Sequence, residues 1–143
     1  MTNSLYAGER LDRDELVELY GSVGWTNYTR DPELLERAVA GSSRVVTARS
    51  NGVLLGLARI ISDGATIAYL QDVLVRPEAR RRGIGRRLVD TAFEPYAQVR
   101  QHVLITDAEP WQRAFYESLG FTELHDLRPD QGRGFVRFLT PGS

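Results

Sequence analysis

The residues best suited to chemistry stand in one run: Asp72-Val73-Leu74-Val75-Arg76-Pro77-Glu78-Ala79-Arg80-Arg81-Arg82-Gly83-Ile84-Gly85-Arg86-Arg87-Leu88. An apolar strand ends, a glycine-bearing loop turns, and a helix begins. Such a junction leaves backbone N–H groups without partners at the positive end of a helix dipole. Gly83 and Gly85 place no side chain between those groups and a ligand, a geometry that holds phosphate or pyrophosphate. Charge points the same way. Residues 76–87 carry six Arg and one Glu, a net +5, whereas the rest of the chain holds twelve Arg and eighteen acids, a net −6. The acidic remainder suits a cationic second ligand. The bland alternative is a solvated, arginine-rich helix start with two glycines in a tight turn. The flanking strand, the helix and the local charge favour the anion site. A dinucleotide fingerprint fits poorly, because its third glycine would fall on Leu88. Nucleic-acid binding through the Arg cluster lacks a companion pattern of stacking aromatics.

Composition narrows the field further. A chain of 143 residues reads as a single domain over 1–143. It has no Cys, which excludes disulfides, Cys-ligated zinc and a thiol nucleophile. It has no Lys either, which excludes a Schiff-base enzyme and a Walker-type phosphate loop. His102 and His125 lie far apart in no ligand spacing, so no metal is expected. The net charge of −1 supplies no global field toward nucleic acid or an anionic membrane. No apolar run is long enough to span a bilayer, and Met1 to Arg10 lacks the apolar core of a signal peptide, so the cytoplasm is the expected compartment.

Those residues need a scaffold. Asp12-Arg13-Asp14-Glu15 opens a helix with Leu16, Leu19 and Tyr20 near helical spacing, stopped by Gly21 and Gly24. Asp31-Pro32-Glu33 starts a second helix with Leu34, Leu35, Ala38 and Val39 inward and Gly41 at its close. Strands over 44–49 and 53–61 flank Asn51-Gly52, a hairpin signal, and a third strand runs to about Val75 after Asp63-Gly64. Ile84, Leu88 and Ala92 share a helix face, and Pro95 halts that helix. A short strand over 103–106 follows, then a helix with a Trp111/Phe115/Leu119 stripe ended by Gly120. Strands are expected over 121–124 and 135–139, and the tail Thr140-Pro141-Gly142-Ser143 is a loose end. With a short first strand at Leu5-Tyr6 the order is βααβββαβαββ, a mixed α/β sheet with helices on both faces.

Val75-x-Pro77-x-x-Arg80-x-x-Gly83-x-Gly85-x-x-Leu88 resembles the acetyl-CoA motif of the GNAT superfamily of N-acetyltransferases. Ala114-Phe115-Tyr116-Glu117-Ser118-Leu119-Gly120-Phe121 is similar to that family's second element, in the expected place. The resemblance covers about residues 44–139 well and the N-terminal helices by layout. It implies a splayed central sheet, with acetyl-CoA as cosubstrate. Val73, Leu74 and Val75 would hold the pantetheine arm, and the loop from Arg81 through Arg82, Gly83, Ile84 and Gly85 to Arg86 the pyrophosphate, with Arg80 in the motif beside it. The Arg side chains would reach the ribose phosphate. Glu109 departs from the Asn that many relatives use to touch the cofactor. A homodimer is implied by resemblance alone.

Attack of an amine on a thioester needs a base, an oxyanion donor and an acid for the leaving thiolate. Without Cys no acyl-Cys intermediate forms, so direct transfer in a ternary complex is expected. Tyr116 matches the family's tyrosine near the thioester sulfur, and a phenol of ordinary pKa about 10 is protonated at neutral pH. Asp107, nine residues earlier, matches an acid of sugar-phosphate acetyltransferases that positions or deprotonates the amine. An Asx turn before Pro110 explains it equally well. Asp72, between Leu70 and Leu74 on one apolar strand face, is a second candidate for proton transfer or a structural Asp. Tyr69 and Gln71, read as the opposite face, are placed to contact substrate. Trp25 and Tyr28 fall between the first helices as an acceptor-stacking or a packing pair. The reading is an N-acetyltransferase acting on a primary amine of a small molecule. A protein N-terminus or lysine as acceptor, or a non-catalytic acyl-CoA sensor, stands as the alternative.

Overall fold

The computed structural model describes residues 3–139; the tail expected to be loose lies outside them. In sequence the chain parts into two compact units between Ile105 and Thr106.

The first unit runs β1 (Ser4–Ala7), α1 (Arg13–Ser22), a helical turn α2 (Thr26–Thr29), α3 (Pro32–Ala40), β2 (Arg44–Ser50), β3 (Val53–Ser62), β4 (Ile67–Val75), α4 (Ile84–Phe93) and β5 (Gln101–Leu104). The strands form one sheet in the order β1-β2-β3-β4-β5. All neighbours are antiparallel except β4 and β5, which α4 connects in parallel. Local chemistry accounts for the boundaries. Glu15 Oε2 accepts the Asp12 N–H at 3.0 Å at the start of α1. Asp31 accepts the Leu34 N–H at 3.2 Å before Pro32 in α3. Asn51 and Gly52 take φ of 50° and 78°, the left-handed pair that a two-residue hairpin requires.

Both sheet faces are covered. Leu54 and Leu57 of β3 and Leu74 of β4 bury against Leu16, Leu19 and Tyr20 of α1 and Leu35 and Val39 of α3. On the opposite face α4 approaches β3 at Gly56. A Cβ there would lie 2.9 Å from the Leu74 carbonyl oxygen and 3.0 Å from Leu88 Cδ1, so glycine lets the helix sit down. The mixed sheet with helices on both faces is the expected architecture.

Two bulges break the ladders, one between Ala48 and Arg49 and one between Arg59 and Ile60. The second matters for the site. Arg59 pairs with Asp72 but Ile60 pairs with Leu70, so Gln71 is the extra residue. Adjacent β3 residues point to opposite faces, so Leu70 and Asp72 do too. Asp72 therefore does not share a face with Leu70, as a bulge-free strand would dictate. Tyr69, opposite Ile61, joins the Asp72 face instead of opposing it.

The second unit holds α5 (Pro110–Ser118) and a 3-10 turn over Leu124–Asp126. The strands expected over 121–124 and 135–139 are not formed. Gly120 ends α5 at φ 93°, the Phe121 N–H returns to the Tyr116 carbonyl at 3.0 Å, and the Gly132 N–H closes on Leu124 at 2.8 Å. Backbone bonds over 120–132 thus close within the second unit. Phe135 and Phe138, in the segment expected as the last strand, are each 87% exposed. In α5 Tyr116 is the buried residue, whereas Trp111 of the expected apolar stripe is 63% exposed.

Candidate active site

β4 parts from β5 after Leu70, whose partner Leu104 is the last residue of β5. Residues 72–75 keep β3 on one side and, among the described residues, pair with no strand on the other. The Arg76 N–H bonds the Leu55 carbonyl of β3 at 2.8 Å. Ladder alternation then turns the backbone groups of Val75 and Val73 toward the open side. The Val75 carbonyl accepts from Arg80 Nε at 3.3 Å. Leu74 behaves differently from its neighbours: its side chain sits in the core and its backbone faces β3, so it anchors the edge without lining it.

The open edge leads through a 3-10 turn (Pro77–Ala79) to the start of α4. Arg81 and Gly83 both adopt left-handed φ, 65° and 76°. Gly83 caps α4 with no side chain, and a Cβ on it would meet nothing within 4 Å, so space stands open over the first turn. The backbone N–H groups of Ile84 and Gly85 begin the helix there. Ile84 contributes only its amide, because its side chain is in the core. Arg80, Arg81, Arg82 and Arg86 are exposed. Arg82 Nη2 leans back to the Glu78 carbonyl at 3.3 Å. Arg76 leaves the basic patch: it is buried, donates to the Leu54 carbonyl and pairs with Glu18 at 2.8 Å. Amides, a dipole end and guanidinium groups together form a cradle for a pyrophosphate, and an unpaired strand edge matches an amide-bearing arm.

Asp72 lies next to the open edge but is closed off itself. It is 5% exposed and accepts from Arg59 Nε at 2.6 Å, Tyr20 Oη at 2.9 Å and Tyr28 Oη at 2.8 Å. Arg59 also reaches the Tyr28 oxygen at 3.3 Å and Ser42 Oγ at 3.3 Å. Burial alone would lower the Arg59 pKa, but the charge and hydrogen bond of Asp72 outweigh it and raise it. Burial first, and the Asp72 charge second, raise the phenols of Tyr20, Tyr28 and Tyr69. Trp25 and Tyr28 pack with Tyr20 at ring distances of 5.8 and 4.9 Å. The sequence reading did not single out Arg59 or Tyr20. The available signal was a lone charge inside the apolar run of β3.

In the second unit Asp107 and Tyr116 come within electrostatic reach. Burial first, then the Asp107 charge, pushes the Tyr116 phenol up to about 12. Phe115 and Phe121 meet the Tyr116 ring edge-on at 5.0 and 6.0 Å. Asp107 Oδ1 accepts the Glu109 N–H at 3.1 Å, so it also makes the Asx turn before α5.

The acetyltransferase (GNAT) domain model matches residues 20–139. The chain belongs to the GNAT acetyltransferase family. As a GNAT protein it is an acetyl-CoA-dependent N-acetyltransferase, and the open edge and uncapped helix start fit that cosubstrate. It is 28% identical over 121 residues to an uncharacterized N-acetyltransferase, ycf52, of Pyropia yezoensis, covering 82% of this chain and 68% of that one. A probable glucosamine 6-phosphate N-acetyltransferase of Oryza sativa subsp. japonica is 31% identical over 88 residues, 62% of this chain and 51% of its own. This GNAT chain thus spans from half to about two thirds of the length of these curated relatives. Among solved structures, a GNAT family acetyltransferase from Streptococcus pneumoniae TIGR4 superposes with a TM-score of 0.80 at 29% identity, covering 95% and 98% of the two chains.

Proposed function

We propose that this GNAT protein moves the acetyl group of acetyl-CoA directly to a primary amine of a small molecule within a ternary complex. The observation that carries this reading is continuous: the unpaired edge at Val73 and Val75 runs into the side-chain-free start of α4. A pantetheine arm would bond to the edge, and the pyrophosphate would rest on the amides of Gly83 to Gly85 with the exposed Arg side chains around it. The bound thioester supplies an activated acyl carbon. The chain's own groups orient it and move protons. The family resemblance gives Tyr116 the role of acid for the leaving thiolate and Asp107 that of holding or deprotonating the amine; both residues belong to the second unit. With no Cys in the chain, the acyl group has no thiol to rest on between donor and acceptor. A small acceptor is supported by the glucosamine 6-phosphate in the name of the Oryza sativa relative.

A thermal-shift titration with acetyl-CoA and with dephospho-CoA tests the cosubstrate. Ligand at 100 times its Kd stabilises by about 2.7 kcal/mol, several degrees for a domain of this size. A saturable shift, weaker without the ribose phosphate, is expected. Thiol release from acetyl-CoA with glucosamine 6-phosphate, tryptamine, L-phenylalanine and a peptide with a free N-terminus then reads the acceptor. No shift at millimolar cofactor overturns the reading. Turnover of the peptide alone moves it to the protein-acetylating alternative.

A further inference from the structure

Arg76 stands where β4 gives way to the loop before α4. Arg80, Arg81, Arg82, Arg86 and Arg87 of that loop and helix start are exposed, whereas Arg76 is 8% exposed. A buried guanidinium is costly unless its donors are met. A bulge meets them. Across the β2–β3 ladder Ala48 pairs with Gly56 but Arg49 pairs with Leu54, so Leu55 is the extra residue. Leu54 and Leu57, an odd number of positions apart, therefore both face α1 and α3. In a regular strand successive carbonyls point to opposite edges. Here two of them end on one residue: the Arg76 N–H donates to the Leu55 carbonyl at 2.8 Å, and Arg76 Nε donates to the Leu54 carbonyl. Arg76 follows Leu74 by two, so its side chain leaves on the same face, where Nη2 meets Glu18 of α1 at 2.8 Å. Glu18 is 67% exposed, so water screens that ion pair and the carbonyl bonds carry more of the hold.

The loop departs from this anchor. The Ala79 N–H returns to the Arg76 carbonyl at 2.9 Å, and Ala79 is buried at 1% exposure. Arg81 and Gly83 follow with left-handed φ, and the amides of Ile84 and Gly85 begin α4. The edge at Val73 and Val75 is held separately, by the ladder pairs Val73 with Ala58 and Val75 with Gly56. We propose that Arg76 is a positioning residue for the cosubstrate: by clamping the bulge of β3 it sets the loop over residues 77–83, and with it the amides at the start of α4 that receive the pyrophosphate. Arg76 touches no phosphate itself, because it is buried against β3 and α1. This rests on the reading that acetyl-CoA lies along β4 with its pyrophosphate on α4. The effect is selective: a loosened loop weakens the hold on the phosphate-bearing part of the ligand and spares the pantetheine arm.

Titrations of wild type, Arg76→Met, Arg76→Lys and Glu18→Ala test this, with acetyl-CoA followed by calorimetry and S-acetyl-pantetheine, which lacks the pyrophosphate, followed by NMR chemical shifts. Arg76→Met should weaken acetyl-CoA about tenfold, the scale of one lost hydrogen bond to a charged donor. Its affinity for S-acetyl-pantetheine should stay within about twofold of wild type, because the ladder that holds the edge is intact. Arg76→Lys keeps a charged donor without the fork, and should fall between, about threefold below wild type for acetyl-CoA. Glu18→Ala should stay within about twofold for both ligands, as a screened pair does. Equal weakening of both ligands in Arg76→Met overturns the proposal, since Arg76 would then shape the fold or the edge and not the loop. A lower melting temperature with unchanged acetyl-CoA affinity overturns it as well. If Arg76→Met does not fold, Arg76→Lys decides: wild-type affinity for acetyl-CoA in that variant ends the idea. Failure of the wild type to bind acetyl-CoA instead sinks the cosubstrate reading beneath it.

Discussion

Tyr116 shows how burial can prepare a side chain for one role. A phenol pushed up to about 12 by burial and by the Asp107 charge keeps its proton at every pH where an enzyme works. It holds its proton through neutral pH and can present it to a leaving thiolate, although the rise makes it a weaker acid than a free phenol. Tyr116→Phe removes the donor and keeps the ring that Phe115 and Phe121 contact. Turnover should fall on the order of 10²-fold, with acetyl-CoA affinity nearly unchanged. Equal kcat in the variant would take the hydroxyl out of the chemistry. The residue was legible because Phe115-Tyr116 and Gly120-Phe121 form a motif. Asp72 was legible only as a suspicious acid. Its neighbours depend on a one-residue bulge at Gln71, and no residue type announces a bulge there. Arg59 was harder still: it reads as an interruption of β3 until its partner 13 positions later is known.

At the scale of elements, the start of α4 depends on backbone more than on side chains. Gly83 holds φ 76° with open space around its Cα, so an added methyl clashes with nothing and acts through conformation alone. Gly83→Ala should cost about 1–2 kcal/mol of stability. It should also weaken acetyl-CoA at least tenfold, because a loop relaxing out of the left-handed region re-aims the amides of Ile84 and Gly85. Gly52→Ala is the matched control, with φ 78° and equally open space at the β2–β3 hairpin. It should lose similar stability and no affinity. Equal acetyl-CoA affinity in both variants would mean that the loop amides do not hold the cosubstrate. Elements with local signals were readable: the Asn51-Gly52 turn, the Asp31-Pro32 helix start, the glycine stop at Gly120. The strands expected over 121–124 and 135–139 were not, because a strand is defined by the neighbour that pairs with it. Phe135 and Phe138 carry the strand propensity without that neighbour.

Across the whole molecule, buried phenols set a limit at high pH. Tyr20, Tyr28 and Tyr69 in the first unit and Tyr116 in the second all have pKa values raised first by burial. Each folded phenol keeps its proton to a higher pH than it does in the unfolded chain, where the value is about 10. Unfolding therefore releases protons once pH passes that point. Stability from these groups is complete below pH of about 10 and is lost as pH rises toward the folded values. For Tyr116, held at about 12, the loss is on the order of 2–3 kcal/mol across that window. Urea unfolding of the wild type and Tyr116→Phe between about pH 8 and pH 11.5 isolates this contribution, since the other three phenols are common to both proteins. The stability advantage of the wild type should be flat up to about pH 9.5 and shrink steadily above it. A difference that stays constant to pH 11.5 would mean that Tyr116 ionises as readily in the folded protein as in the unfolded chain. Burial would then leave the Tyr116 proton no harder to remove than in a free phenol, and its donor role would rest on the ordinary pKa of about 10 alone.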